Sequence, residues 1–124
     1  MAAVAAQQKI ESELIPKIAT VFCSGLAETG NICGALSGGL LALSMVEGRS
    51  AIKDSRDDLY QKANLLVEGF EQKFSHINCQ NLIQLQLGTE EASNAYRTRG
   101  LKTQCEGYIR ETASRTVELL SLPD

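Results

Sequence analysis

Asn31-Ile32-Cys33-Gly34-Ala35-Leu36-Ser37-Gly38-Gly39-Leu40-Leu41-Ala42-Leu43-Ser44-Met45-Val46 carries no charge, and only Asn31, Ser37 and Ser44 are polar within it. Gly30, Gly34, Gly38 and Ala42 recur every four residues. On a helix that spacing draws a ridge with almost no side chain. Each interior glycine costs a helix roughly 1 kcal/mol relative to alanine. Close approach of another backbone, or of a ligand, along the small-residue stripe offsets that cost. The stretch is therefore predicted to be the central buried helix, with the rest of the chain packed around it. A larger residue at Gly38 is expected to overpack the contact.

Working outward, helical periodicity recurs on both sides. Leu14, Ile18, Val21, Phe22 and Gly25 predict a buried helical face between Ser12 and Leu26, with Pro16 tolerable near its first turn. Glu28 to Asn31 form a break. After Gly48, a long helix is predicted from about Ser50 or Asp54 to Ser75. Leu59, Ala63, Leu66, Val67, Phe70 and Phe74 mark its inner face, and Asp54, Asp57 and Asp58 suit its positive N-terminal end. Asn78 is a natural cap for a short helix from Cys79 to Leu87. Glu90 to Arg99 is polar and only weakly periodic. Thr103-Gln104-Cys105-Glu106 reads as a capping box opening a last helix through Tyr108, Ile109, Ala113, Val117 and Leu120. No useful β-alternation appears. The expectation is a single all-α domain over residues 1–124, a small bundle of four to five helices around the glycine-rich one.

The 124 residues suit one domain, and 44% hydrophobic residues suffice for a core. A net charge of −3 with scattered basic residues gives no footprint for nucleic acid. The apolar run from Ile32 to Val46 is shorter than the roughly 20 residues a membrane span needs. Met1 to Ala6 lacks the basic start of a signal peptide. A soluble, cytoplasmic protein is expected, with no nucleic-acid or membrane partner.

The chemistry lies in four cysteines: Cys23, Cys33, Cys79 and Cys105. No Cys-x-x-Cys is present, which argues against a zinc ribbon or a thioredoxin motif. Cys33 follows Asn31, Cys79 follows Asn78 and Cys105 follows Thr103, so three cysteines fall at predicted helix starts. Free N–H groups there favour thiolate over thiol. One cysteine alone is ordinarily a small buried hydrophobe; three at caps point to a site. Cys33, Cys79 and Cys105 are therefore the candidate catalytic thiols, expected to cluster at one end of the bundle, with Cys79 and Cys105 the best candidates for a pair. Cys23, on the apolar face of the first helix, joins them as a candidate metal ligand. Gly34 and Gly38 are candidate cofactor-binding positions. His76, the sole histidine, is three residues from Cys79 but reads as a surface turn residue. Ser24 and Ser37 have no histidine partner that would make a hydrolase.

These residues resemble the C_GCAxxG_C_C family of redox-active proteins. The resemblance rests on Cys33-Gly34-Ala35-Leu36-Ser37-Gly38-Gly39, on Phe70-Glu71-Gln72-Lys73-Phe74 leading to Cys79, and on Cys105 ahead of Tyr108-Ile109. It covers most of the chain from Phe22 onward. It implies a cysteine-dependent redox or metal-binding role, through dithiol chemistry, a metal ion or an iron–sulfur cluster, together with a redox partner protein. The competing reading is a non-enzymatic helical interaction module with structural cysteines. The poorly covered stretch from Glu90 to Arg99 makes a homodimer an expectation as well.

Overall fold

The structure is a computed structural model that describes residues 1–123. Its centre is α3 (Gly34–Glu47), which packs against α4 (Asp57–Phe74) and α7 (Leu101–Leu120). Leu36 and Leu43 of α3, Leu66 and Phe70 of α4, and Tyr108 and Leu119 of α7 form the main core. The predicted inner face of α4 is correct in every position, with Leu66 and Phe70 buried and Leu59, Ala63, Val67 and Phe74 packed around them. Phe70, Phe74 and Tyr108 meet ring to ring, with Phe74 edge-on to Tyr108 at 4.7 Å between centroids.

The small residues of α3 allow this crossing. A Cβ at Gly39 would stand 2.5 Å from Thr112 Cγ2, 2.9 Å from Thr116 Oγ1 and 3.0 Å from Leu66 Cδ2. One at Gly34 would stand 2.7 Å from the Phe22 carbonyl oxygen. At Gly38 only the Met1 nitrogen is near, at 3.2 Å. The tightest helix contact thus falls on Gly39, one position off the predicted ridge. Gly30 precedes the helix and does not belong to the ridge.

The smaller elements cover α3 and α7. The first six residues after Met1 form α1 (Ala2–Gln7), whose Val4 and Ala5 are buried. The helix expected from Ser12 to Leu26 is broken. Only α2 (Leu14–Ala19) is regular, followed by a 3-10 turn, Thr20–Phe22. Of its expected buried face, Leu14, Ile18 and Val21 are exposed, at 58%, 46% and 54% accessibility, Phe22 is half-buried and Gly25 is buried, and Ile15, outside that face, is buried as well. The chain then makes a left-handed turn, with positive φ at Ser24, Gly25, Leu26, Ala27 and Glu28. Each non-glycine residue there costs roughly 1–2 kcal/mol. The turn is held by the Ala27 amide donating to the Val21 carbonyl (2.7 Å), the Asn31 amide to Gly25 (2.8 Å) and Thr29 Oγ1 to Gly25 (2.8 Å).

Two short helices complete the fold. α5 (Cys79–Ile83) ends four residues before the expected Leu87, because Gln84 turns left-handed. α6 (Glu90–Thr98) is a true helix, capped by Thr89, whose hydroxyl accepts from the Ala92 amide. Its polar sequence hides a narrow inner face of Ala92 and Ala95, both buried. Among the described residues no helix is long and apolar enough to cross a membrane.

Candidate functional site

Cys33 and Cys79 are brought together by a fragment of sheet. Ile32 and Asn78 form an isolated antiparallel bridge. The Cys33 amide donates to the Ile77 carbonyl and the Cys79 amide to the Asn31 carbonyl, each at 2.7 Å. In that register Cys33 and Cys79 are diagonal neighbours on one face, a relation that places residues roughly 7–8 Å apart. The central helix therefore begins later than Asn31 predicted. Asn31–Cys33 is extended, and Cys33 itself is the N-cap of α3.

Gly25 seats Cys79 from the other side. Its φ is +68°, and a Cβ there would stand 2.7 Å from Cys79 Cβ and 2.8 Å from the Asn31 backbone. Only glycine meets both demands. Cys23, at the head of the same turn, has its Cα 3.4 Å from where a Gly34 Cβ would stand, and its side chain is exposed.

Cys105 arrives from α7. That helix opens at Leu101 behind Gly100, which sits in the left-handed region as N-cap. The capping box at Thr103 is therefore not used, and Cys105 lies inside the helix rather than at its start. Cys79 and Cys105 both pack on the cluster of Ile83, Ala95 and Leu101. Gln104 Nε2 donates to the Leu82 carbonyl (3.0 Å) and to Tyr108 Oη, which ties this part of α7 to α5.

All four cysteines line one cavity of about 980 Å³. Gly34 and Gly38 lie in its wall, whereas His76 is exposed and does not line it. The electrostatics reverse the expectation drawn from helix starts. Burial pushes the Cys33 thiol up, against the opposing pull of the Ala35 and Leu36 N–H groups that face its sulfur without completing a cap bond. Burial, then the neighbouring Cys33 and Cys105, raise Cys79 from 9.0 to about 11. Burial and Cys33 raise Cys105. Desolvation outweighs the few N–H dipoles available, because Cys105 has none at a helix end and Cys79 opens a helix of only five residues. Cys33, Cys79 and Cys105 thus sense one another's charge.

The same geometry tests the metal reading. Among the described residues no three His, Cys, Asp or Glu side chains are gathered so as to hold one metal ion. Zinc–sulfur bonds of about 2.3 Å require such convergence. As arranged, Cys23, Cys33, Cys79 and Cys105 line one space, and their sulfurs are not gathered into a site for a single metal ion. The four sulfurs are free thiols.

Sequence reasoning placed Phe22 on a buried face but not at the site, and did not single out Tyr96 or Thr112; all three line the cavity. The one available signal was the pair Ala92 and Ala95, whose spacing marks an inner face on an otherwise polar helix.

A family model described as "Putative redox-active protein (C_GCAxxG_C_C)" matches residues 1–119. No curated protein and no solved structure matches the chain.

Proposed function

The chain belongs to the C_GCAxxG_C_C family, and from that premise we propose that it works as a thiol–disulfide couple in which Cys79 and Cys105 are the exchanging pair. The observation that carries this reading is the convergence of four thiols on one cavity, three of them within reach of one another's charge. Cys79 and Cys105 are the two that also share the apolar cluster of Ile83, Ala95 and Leu101.

The balanced step needs an oxidising disulfide, either a small molecule or a redox partner protein. A sulfur–sulfur bond forms between Cys79 and Cys105, the bond of the incoming disulfide breaks, and its two halves leave as thiols carrying the protons released by the protein. Reduction by a dithiol reverses this. Because burial holds the buried sulfurs as neutral thiols, bulk oxidants react with them slowly at neutral pH. Exposed Cys23, at the rim, is the thiol that such reagents meet first. Cys33 stands behind the pair as the sulfur whose thiolate receives N–H support. A metal-bound alternative receives no support from the donor geometry.

The test is equilibration in a glutathione redox buffer followed by mass-spectrometric disulfide mapping, on the original chain and on Cys79→Ser and Cys105→Ser. Each single substitution is expected to abolish the intramolecular disulfide. Free thiols throughout, in a folded protein, would return the cysteines to a structural role.

A further inference from the structure

We propose that the cavity beside the thiols is a binding site for a small, largely apolar, uncharged organic molecule bearing one hydrogen-bonding group. Binding itself is independent of the redox reading. Only the delivery of such a molecule to reactive sulfurs rests on that reading.

Size is one reason. Organic-ligand pockets run from about 300 to 1,000 Å³, and this cavity, about 980 Å³, lies at the upper end of that range. Protein interiors ordinarily close such spaces with side chains. Here five helices leave it open, because Ala3, Ala19, Gly34, Gly38, Ala92 and Ala113 are the residues they present. The frame cannot collapse inward, since Gly34 already meets the Phe22 backbone and Gly39 already meets Thr112. At Gly38, by contrast, nothing but the Met1 nitrogen lies within 4 Å of a built Cβ.

Polarity is another. Among the lining side chains only Glu28 and Arg97 are charged, and both are exposed. The deep wall is formed by Cys33, Leu101, Ala92 and Thr112, all buried. A phosphorylated or multiply charged ligand would lose hydration at that wall with no counter-charge beyond the Met1 amino group beside Gly38. Exposed Tyr96 and Ile109 line the same cavity, so an apolar body finds apolar surface from the entrance inward.

Thr112 adds an observation independent of the small-residue wall. This lining residue is only 3% exposed, and its Oγ1 has no hydrogen-bond partner. Buried hydroxyls are ordinarily satisfied. Its methyl group is held against Gly39, so Oγ1, on the same Cβ, is held as well, and only the hydroxyl proton is free to turn toward a partner.

The probe is N-phenyl-1-naphthylamine, an uncharged apolar fluorophore, titrated into the full chain. Saturable one-site binding is expected, with slower alkylation of Cys79 and Cys105 in the bound state. Gly38→Leu, which projects a side chain into the cavity, should weaken binding at least tenfold, about 1.4 kcal/mol, with circular dichroism unchanged. Should that variant fail to fold, Ile109→Asp, at an exposed position, carries the same expectation. Non-saturable uptake, or undiminished binding in the folded variant, would overturn the proposal. A variant with all four cysteines changed to serine separates the two readings. Retained binding there, beside an absent disulfide in the original chain, would end the redox reading and leave the binding site standing.

Discussion

Replacing Gly39 by alanine adds one methyl group at the crossing of α3, α4 and α7. The added carbon would lie 2.5 Å from Thr112 Cγ2, 2.9 Å from Thr116 Oγ1 and 3.0 Å from Leu66 Cδ2. None of the three can retreat freely. Both threonines are β-branched and stiff on a helix, Thr116 Oγ1 donates to the Thr112 carbonyl at 2.7 Å, and Leu66 is fully buried. Overpacking of this kind costs about 1–3 kcal/mol, and contact with three neighbours at once places it near about 3. Alanine returns about 1 kcal/mol of helix propensity. The net loss is therefore about 2 kcal/mol, or roughly 6–12 °C in melting temperature for a chain of this size. The internal control is Gly107→Ala on α7, where a Cβ meets nothing within 4 Å. There only the propensity gain remains, and the protein should be stabilised by about 0.5–1 kcal/mol. Thermal and urea unfolding of both variants is the assay. If Gly39→Ala is as stable as Gly107→Ala, the close crossing on which the bundle is built does not exist.

The remaining expectations concern charge, pH and backbone. Lys62 is only 5% exposed, pairs with Glu47 Oε1 at 2.6 Å and donates to the Leu122 carbonyl at 3.2 Å. Lys62→Met leaves the mostly buried Glu47 uncompensated and should cost about 3–5 kcal/mol in urea unfolding, and adding Glu47→Leu should recover part of the loss. Cys79 has a folded-state pKa of about 11, above its ordinary 9.0, so the folded state holds that proton more tightly than the unfolded chain. The contribution is complete below about pH 9 and is lost as pH rises to about 11; chemical unfolding across that window should show stability falling, and Cys79→Ser should flatten the fall. For the same reason the rate of Cys79 alkylation should keep climbing with pH beyond 9, and a plateau at neutral pH would contradict the buried, mutually repelling thiols. Ala27 has φ of +51°, so Ala27→Gly should leave stability unchanged or raise it by up to about 1 kcal/mol, since relief of the left-handed strain opposes the entropic cost of glycine.

What was legible in the sequence was the part written in periodicity. The apolar run through Leu36 and Leu43 and the inner face of Leu59 to Phe74 pointed to an all-α bundle around a glycine-rich helix, and the structure has it. Local signals failed where tertiary contacts decide. Leu14, Ile18 and Val21 have the spacing of a buried face, yet the helix stops at Ala19, the chain turns left-handed at Ser24–Glu28, and Ile15 is the residue it buries. No propensity rule places four non-glycine residues there. Thr103 and Glu106 satisfied the pattern of a capping box, but Gly100 had already started the helix. Cys33, Cys79 and Cys105 do meet on one cavity, by a different route from the expected one. A two-residue bridge and a shared apolar cluster assemble them, not three converging helix starts. Their pKa direction was misjudged because the sequence announces helix ends and hides burial.

Disulfide mapping of the oxidised chain is the most direct test of the central claim. After equilibration at an oxidising glutathione ratio, peptides joined through Cys79 and Cys105 are expected, with Cys23 modified by glutathione and the fold retained by circular dichroism. A folded, oxidised protein in which Cys79 and Cys105 both remain alkylatable thiols would contradict it.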